Sequence, residues 1–235
     1  MKSRRAFMFG YGIHSAFVAN ELKKSNFQLS IVVNESESYN RAIKDGYINV
    51  FTLDITDDNE LQKLNIQIDT YLICMMSDNH LNVFLTLSLH HLFPKSTIIA
   101  LSNSLHATQK LKMAGASVVV DTYKVSANRI HNIIQKPIAT KLMDSLLSTQ
   151  STLSLREIEI PKESFLDKTM VDDFDFNRHK IILVGMIDRR LSDKFMFVTT
   201  GLEHRLDIGD MLVCIGYNRD LDKFKGYIKR RKVRR

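Results

Sequence analysis

The feature that most constrains the fold of this chain is a strict alternation of short apolar runs and helical patterns in its first half. Short strands that are apolar throughout must be covered on both faces, so the alternation predicts an α/β fold with a parallel, doubly wound sheet. The predicted strands span residues 6–9, 29–33, 50–53, 71–76, 97–100 and 118–120. The predicted helices between them span residues 13–24, 39–45, 57–64, 80–91 and 105–113.

The pattern changes after residue 121. Two amphipathic helices are predicted at 125–134 and 138–147, separated at Pro137, and a polar stretch follows at 148–154. Short β-type runs then return at 156–160, 181–186, 195–198 and 211–215 with few helical segments, which predicts a small α+β domain. The predicted boundaries are an α/β domain at 1–124, the two helices and a linker at 125–150, the second domain at 151–225 and a basic tail at 226–235.

Charge is concentrated at the two ends of the chain. The net charge is +7, yet nine of the 33 Lys and Arg residues lie in the segments 2–5 and 229–235. The remaining 24 basic residues are balanced by 26 acidic ones, so the folded body is nearly neutral. A nucleic-acid-binding domain carries its positive charge across a folded face, so this distribution argues against nucleic acid as a partner. The basic ends are suited instead to an anionic membrane surface.

The sequence also predicts the compartment. No apolar run reaches the roughly 18 residues that a membrane-spanning helix needs, and the basic first residues lack the apolar stretch of a secretory signal. We therefore expect a cytoplasmic location, where Cys74 and Cys214 remain free, buried thiols.

The sharpest motif is Phe-Gly-Tyr-Gly-Ile-His-Ser at 9–15, which lies between a predicted strand and a predicted helix. This is the position of the dinucleotide-binding fingerprint in a Rossmann-like fold. Gly10 permits the tight turn, Gly12 lets a phosphate approach the backbone, and Ser15 replaces the third glycine with another small residue. The helix that follows offers free N–H groups to the phosphate. The candidate contacts are Gly10, Tyr11, Gly12, Ile13, His14 and Ser15.

Polar residues follow the next predicted strands. Glu35 comes after the second strand, where a carboxylate accepts hydrogen bonds from the ribose hydroxyls of an adenosine and repels a 2′-phosphate. Glu37 is an alternative for this role. Ligands of open parallel sheets bind along the carboxyl edge, so the further candidates are Asp54, Thr56, Met76, Ser77 and Asp78. These residues predict an adenine nucleotide, NAD(H), ADP or ATP, with NADP disfavoured.

The same sequence offers no catalytic set. It contains no Ser-His-Asp combination, no Cys-His pairing and no metal-ligand spacing, and the adjacent His90 and His91 point to different sides of a predicted helix. We therefore expect a binding domain and not an enzyme, with no catalytic residues and no metal site. A small NAD-dependent oxidoreductase is the alternative from a different class, since it shares the nucleotide-binding fold.

The ordered motifs resemble the RCK family, the regulators of potassium conductance, which combine a Trk-type N-terminal domain with a C-terminal domain. In the first half the resemblance rests on the motif at 10–15 and on LDITD at 53–57, MSDNHLN at 76–82, IIA at 98–100 and KMAGA at 112–116. In the second half it rests on the segments 157–160 and 181–187, FLDKT at 165–169 and LDIGDMLVCIG at 206–216. The resemblance covers nearly the whole chain.

This resemblance implies an assembly and a role. RCK domains pair through crossover helices, here within 125–147, and assemble as homo-oligomeric rings, commonly octameric, beneath a potassium channel pore at the inner face of the membrane. Ligand binding in the N-terminal domains changes the shape of the ring and so regulates the pore. A separate regulatory subunit of a Trk/Ktr-type potassium transporter is the alternative within the family. Leu101 and Asn103 stand where calcium-gated members have acidic side chains, so the calcium site of those members is not expected here.

Overall fold

The computed structural model describes residues 4–148, 150–190, 194–198 and 204–229. The chain divides into two compact units, Met1–His131 and Asn132–Arg235. The basic tail predicted at 226–235 lies outside the described residues from position 230 onward, as do the first three residues and position 149 of the predicted linker.

The first unit is built on a six-stranded sheet whose strands are all parallel and follow the order β3-β2-β1-β4-β5-β6. The doubly wound parallel sheet predicted from the alternation is thereby confirmed. Its strand order is that of the Rossmann fold, in which the order reverses beside β1 and opens a crevice at the carboxyl edge. The strands are β1 Arg5–Phe9, β2 Gln28–Val33, β3 Val50–Thr52, β4 Thr70–Cys74, β5 Thr97–Ser102 and β6 Val118–Asp121.

Five helices connect these strands and cover both faces of the sheet. On one face Met8 and Ile31 pack with Ala19 and Ala42 of the helices that follow β1 and β2. On the other face a larger apolar cluster joins the sheet to the helices that follow β3, β4 and β5. The helices are α1 Ile13–Lys24, α2 Ser36–Lys44, α3 Asp58–Gln62, α4 Asn79–Leu92 and α5 Leu105–Met113.

Two further helices follow the sheet. They are α6 Thr122–Gln135 and α7 Pro137–Leu147, and they are separated because the proline ring cannot continue the first helix. No residue of α6 is buried. Both helices expose large apolar side chains, namely Val125, Ile130, Ile133, Ile134, Ile138, Leu142, Met143 and Leu147.

The second unit contains a four-stranded antiparallel sheet in the order β7-β10-β8-β9. Its strands are β7 Leu153–Glu159, β8 Ile181–Ile187, β9 Phe195–Phe197 and β10 Met211–Tyr217. Two short 3-10 helices, Val171–Asp173 and Phe176–His179, precede β8. The small α+β architecture predicted for this part of the chain is confirmed.

One helix of this unit was not predicted. Helix α8, Asn218–Tyr227, packs Leu221 and Phe224 into the core of the unit, and the adjacent Ile228 is fully buried with them. The first two residues of the predicted basic tail are therefore the helical Gly226 and Tyr227, and the folded unit extends beyond the predicted boundary at 225.

Candidate functional site

The loop between β1 and α1 is fixed by Gly10. Its φ of +91° lies in the left-handed region that side chains disfavour, and a Cβ there would stand 2.6 Å from the carbonyl oxygen of Met75. Its N–H donates to the carbonyl oxygen of Val32 at 2.8 Å. Gly10 therefore seats the loop against the carboxyl ends of β2 and β4, and the fold itself requires glycine at this position.

Gly12 differs from Gly10, because neither conformation nor packing requires a glycine there. Its φ of −137° and ψ of −161° are extended values that any residue adopts. A Cβ built on it would meet no atom of the described residues within 4 Å. The space in front of Gly12 is thus open, and it belongs to the cavity described below.

Gly12 is also the N-cap residue of α1. With no side chain it caps no backbone group of the helix, so the first-turn N–H groups of Ile13 and His14 have no partner among the described residues. Ser15 is buried and closes the turn, since its Oγ accepts from the Gly12 N–H at 2.6 Å and donates to the Gly12 carbonyl at 3.2 Å. The loop therefore presents free donors and the positive end of a helix dipole.

Tyr11 lines the same cavity, but its hydroxyl group is engaged elsewhere. The hydroxyl donates to Oδ2 of Asp45 at 2.7 Å, and burial together with the Asp45 carboxylate raises the pKa of Tyr11 well above its usual value. Tyr11 therefore stays neutral and anchors the loop to the end of α2.

A cavity of about 690 Å³ lies at the carboxyl edge of the parallel sheet. Its volume is within the range of small-molecule and cofactor sites. It brings together every predicted contact except Asp54 and Thr56. Its lining consists of the loop 10–15, Asn34, Glu35, Glu37, Ser38, Arg41, Met75, Met76, Ser77, Asp78, Leu81, Leu101, Asn103 and Thr122.

Two carboxylates stand at the β2 end of this cavity, and they differ in what they contact. Glu37 accepts a hydrogen bond from Arg41 at 3.0 Å within α2. Glu35 is exposed, occupies the N-cap position of α2 and makes no side-chain cap bond. Within the part of the chain that the structure describes, both carboxylate oxygen atoms of Glu35 are therefore unengaged, whereas Oε1 of Glu37 is paired.

Arg41 is a lining residue that sequence reasoning missed. It follows Glu37 by four residues on a helix, and oppositely charged residues at this spacing commonly pair. That spacing was the available signal. Arg41 adds one positive charge to the lining at the β2 end of the cavity, where it pairs with Glu37.

At the β4 end of the cavity, one side chain caps helix α4 and another bridges the ends of β4 and β5. Oδ1 of Asp78 accepts from the N–H groups of His80 at 2.6 Å and Leu81 at 3.0 Å, which caps α4 and holds the pKa of the carboxyl below its usual value.

Asn82 is buried, and its amide donates to the carbonyl oxygens of Cys74 and Leu101 and accepts from the Met76 N–H at 3.1 Å. Asn82, which the sequence analysis did not select, joins the ends of β4 and β5 beneath the cavity.

Asp54 and Thr56 follow β3 but do not line the cavity. Oδ1 of Asp54 accepts from the Thr56 N–H at 2.9 Å and from the Thr56 hydroxyl at 2.6 Å. These bonds hold the pKa of Asp54 below its usual value, and the bond from the Thr56 hydroxyl contributes more than the bond from the N–H group. The two residues close a local turn, and the structure does not bring them to the predicted contacts.

The described residues contain no group of three or more His, Cys, Asp or Glu side chains that could hold a metal ion. Both cysteines are buried, and burial raises the pKa of each thiol to about 12. None of the helices within 4–148, 150–190, 194–198 and 204–229 combines the length and the apolar character that crossing a membrane requires.

Similar sequences come from an archaeon. The chain is 28% identical over 224 residues to "Potassium channel protein 1" of Methanocaldococcus jannaschii, covering 94% of this chain and 65% of that protein. It is 25% identical over 232 residues to "Probable potassium channel protein 2" of the same organism, covering 95% of this chain and 66% of that protein. The chain thus spans about 65% of the length of these relatives.

Solved structures share the fold at low identity. The GsuK RCK domain matches 97% of this chain with 47% of its own, at a TM-score of 0.50 and 19% identity. The TrkA-N domain of the Escherichia coli inner membrane protein ybaL matches 57% of this chain with 98% of its own, at a TM-score of 0.51 and 16% identity. The human SLO3 gating ring matches 94% of this chain with 46% of its own, at a TM-score of 0.60 and 12% identity.

The family comparison agrees with the fold of the first unit. Residues 7–122 match the TrkA-N domain family, from within β1 to the start of α6. Over residues 7–122 the chain is therefore similar to the TrkA-N domain family, and it shares its fold with the GsuK RCK domain.

Proposed function

We propose that this chain is a ligand-sensing regulatory domain of a potassium channel and that the carboxyl-edge cavity of its TrkA-N domain binds an adenine nucleotide. The observation that carries the proposal is Gly12, where an open cavity meets a helix start whose first N–H groups have no partner among the described residues. A glycine that the fold does not require is best explained by a ligand that approaches the backbone closely.

The geometry suggests how a nucleotide would lie. Its phosphates would accept hydrogen bonds from the first turn of α1, and Gly12 would leave room for their oxygen atoms. Its ribose would lie at the end of β2, where Glu35 has unengaged oxygen atoms. NAD(H), ADP and ATP share these two groups, so the site accepts all three as candidates.

The relatives support a channel context for this domain. The two archaeal relatives are named as a potassium channel protein and a probable potassium channel protein, and the similarity covers most of this chain. That observation favours a channel domain over a separate transporter subunit. We propose that the domain works at the cytoplasmic face of the membrane and changes the opening of a pore by changing its own conformation on nucleotide binding. Its role is regulatory and not enzymatic.

The exposed apolar side chains of α6 and α7 support self-association. Ile134 is 69% exposed and Ile138 is 84% exposed, which is unusual for isoleucines that line adjoining helices. We propose that these helices pair with a second copy, and that pairs assemble further into the ring that the family resemblance implies.

Calorimetric titration of NAD, ADP and ATP tests the ligand. Binding of at least one of them is expected, with a rise in melting temperature, because a ligand at about a hundred times its Kd stabilises a protein by roughly 2.7 kcal/mol. If none of the three binds at millimolar concentration, nucleotide sensing is excluded even though the fold is that of the family. Potassium flux into liposomes that contain the complete channel, with and without the bound nucleotide, then tests regulation.

Self-association is tested by light scattering at micromolar protein concentration. We expect a dimer or larger, and we expect Ile134→Asp to yield a monomer because it would place an unpaired charge in the interface. Asn128→Asp adds the same charge on a turn of α6 away from Ile134 and serves as the control. A monomeric wild type, or dissociation by both variants, would contradict pairing through this surface.

A further inference from the structure

A second cavity, of about 570 Å³, opens at the amino edge of the parallel sheet. Its lining includes Arg5, Gln28 and Thr70, which lie side by side at the starts of β1, β2 and β4. It shares no described lining residue with the carboxyl-edge cavity. Its volume is within the range of small-molecule sites, so the domain has two separate places where a ligand could be enclosed.

The charge of this amino-edge cavity has one sign. Arg5 and Lys23 line it, and no carboxylate does so among the described residues. Both cations are held by neutral groups. The Arg5 guanidinium donates to the side-chain oxygen of Gln67, while Lys23 Nζ lies 3.4 Å from the Gly46 carbonyl oxygen and 5.2 Å from the centroid of the Tyr47 ring. These partners orient the two cations without neutralising them.

The remaining polar lining is rich in side-chain amides. Gln28, Asn49 and Asn65 supply three carboxamides, and Ser30 adds a hydroxyl. Each amide offers both donors and an acceptor, which is the combination that recognises hydroxyl groups. Unpaired cations fit a carboxylate or phosphate. The lining therefore complements a molecule that carries hydroxyl groups and negative charge together.

We propose that the amino-edge cavity binds a small hydroxylated organic anion, such as a phosphorylated sugar or a hydroxycarboxylate. The anionic group pairs with Arg5 and Lys23, and the hydroxyl groups bond to the amides of Gln28, Asn49 and Asn65. This second site does not depend on the nucleotide proposed for the other edge. It would give the domain a separate input from a small metabolite.

The test uses Gly12→Val protein, in which the carboxyl-edge cavity is blocked. Ribose 5-phosphate, citrate and inorganic phosphate are titrated calorimetrically. We expect one of the two hydroxylated anions to bind more tightly than inorganic phosphate. Arg5→Gln and Lys23→Gln should each weaken that binding by about tenfold or more, because each removes a charge-assisted hydrogen bond.

The matched control is Lys24→Gln. Lys24 neighbours Lys23 in the chain, but it pairs with Glu21 at 2.6 Å and does not line the cavity. It removes the same charge and should leave affinity unchanged. An equal loss in Lys24→Gln would indicate unspecific attraction and overturn the site, and inorganic phosphate binding as tightly as both hydroxylated anions would overturn the role of the amides.

Chemical-shift mapping of the wild type gives a measurement that does not rely on variants. The probe that binds should perturb the backbone signals of residues 28–30 and 47–49. Perturbation confined to residues 10–15, or no binding of any of the three probes at millimolar concentration, would overturn the proposal. Because adenine nucleotides are titrated separately, either site can fail without affecting the conclusion on the other.

Discussion

The loop at 10–15 of the first unit and the loop at 206–210 of the second both combine glycine with polar residues, yet they use their hydrogen-bonding groups differently. In the second loop the Gly209 N–H donates to the Ile160 carbonyl at 3.0 Å, and the buried Asp210 carboxylate accepts from the Asp207 N–H at 2.8 Å. In the first loop the N–H groups of Ile13 and His14 stay unpaired among the described residues. Donors that remain available, and not glycine content, thus distinguish a candidate binding loop from a structural one.

The largest expected effect follows from that difference at Gly12. Gly12→Val should abolish adenine-nucleotide binding because the side chain would fill the space of the phosphate, while the melting temperature stays close to wild type since the backbone there is extended. Gly209→Val should do the reverse, because its φ of +92° costs a side chain roughly 1–2 kcal/mol. Calorimetry and thermal melting of both variants measure this, and nucleotide binding by Gly12→Val at wild-type affinity would show that the site lies elsewhere.

Gly10 sharpens the comparison because it is a structural glycine inside the candidate binding loop. Gly10→Ala would combine a left-handed backbone with a Cβ 2.6 Å from the Met75 carbonyl oxygen. We expect the free energy of unfolding to fall by about 2 kcal/mol or more, measured by urea denaturation. Stability equal to that of wild type would mean that the loop is not seated on β4 as described.

Glu35 carries the next effect, on affinity. Glu35→Ala should weaken NAD binding by about tenfold or more, because it removes charge-assisted bonds to the ribose hydroxyls. Glu37→Ala removes the same charge from a carboxylate already paired with Arg41, and it should weaken binding less. NADP should bind wild type more weakly than NAD does. Equal binding of the two cofactors would transfer the ribose role away from Glu35 and towards a phosphate contact at Arg41.

The smallest effect concerns Asp210 in the second unit. Burial raises its pKa, the Asp188 and Asp207 carboxylates add to this, and its Oδ1 is buried without a hydrogen-bond partner among the described residues. A folded-state pKa above the unfolded value means that ionising Asp210 costs stability, and this cost is absent at pH values below both pKa values and grows as pH rises between them. The melting temperature of Asp210→Asn relative to wild type should therefore increase with pH from about 4 to 7. Parallel pH profiles for the two proteins would contradict this.

Local signals were sufficient to predict some elements at the observed bounds. Helices α1 and α5 begin and end where they were predicted, because a loop glycine precedes α1 and Ser104 caps α5. Helix α2 begins three residues before its predicted start, since Glu35 is not a preferred N-cap residue. Helix α8 was missed because alternating charges surround the apolar side chains of Leu221 and Phe224.

The candidate site shows the same division between sequence and structure. Strand order places the residues that follow β1, β2 and β4 at one edge, and that rule was accessible from the sequence. It does not predict where a side chain points, so it could not show that Asp54 turns to Thr56. Nor could it select Arg41 or Asn82, whose places depend on helix packing. The ligand contacts themselves stay predictions.

Helix α6 has a consequence for how this protein behaves on dilution. It has 14 residues, none of them buried, so packing within the described part of the chain contributes little to its helicity. A free helix of about that length is only marginally stable in water. Its helical content must then depend on what covers it. The mean residue ellipticity at about 222 nm should therefore become more negative as protein concentration rises. Concentration would thus set local order in the chain as well as the number of chains in a particle.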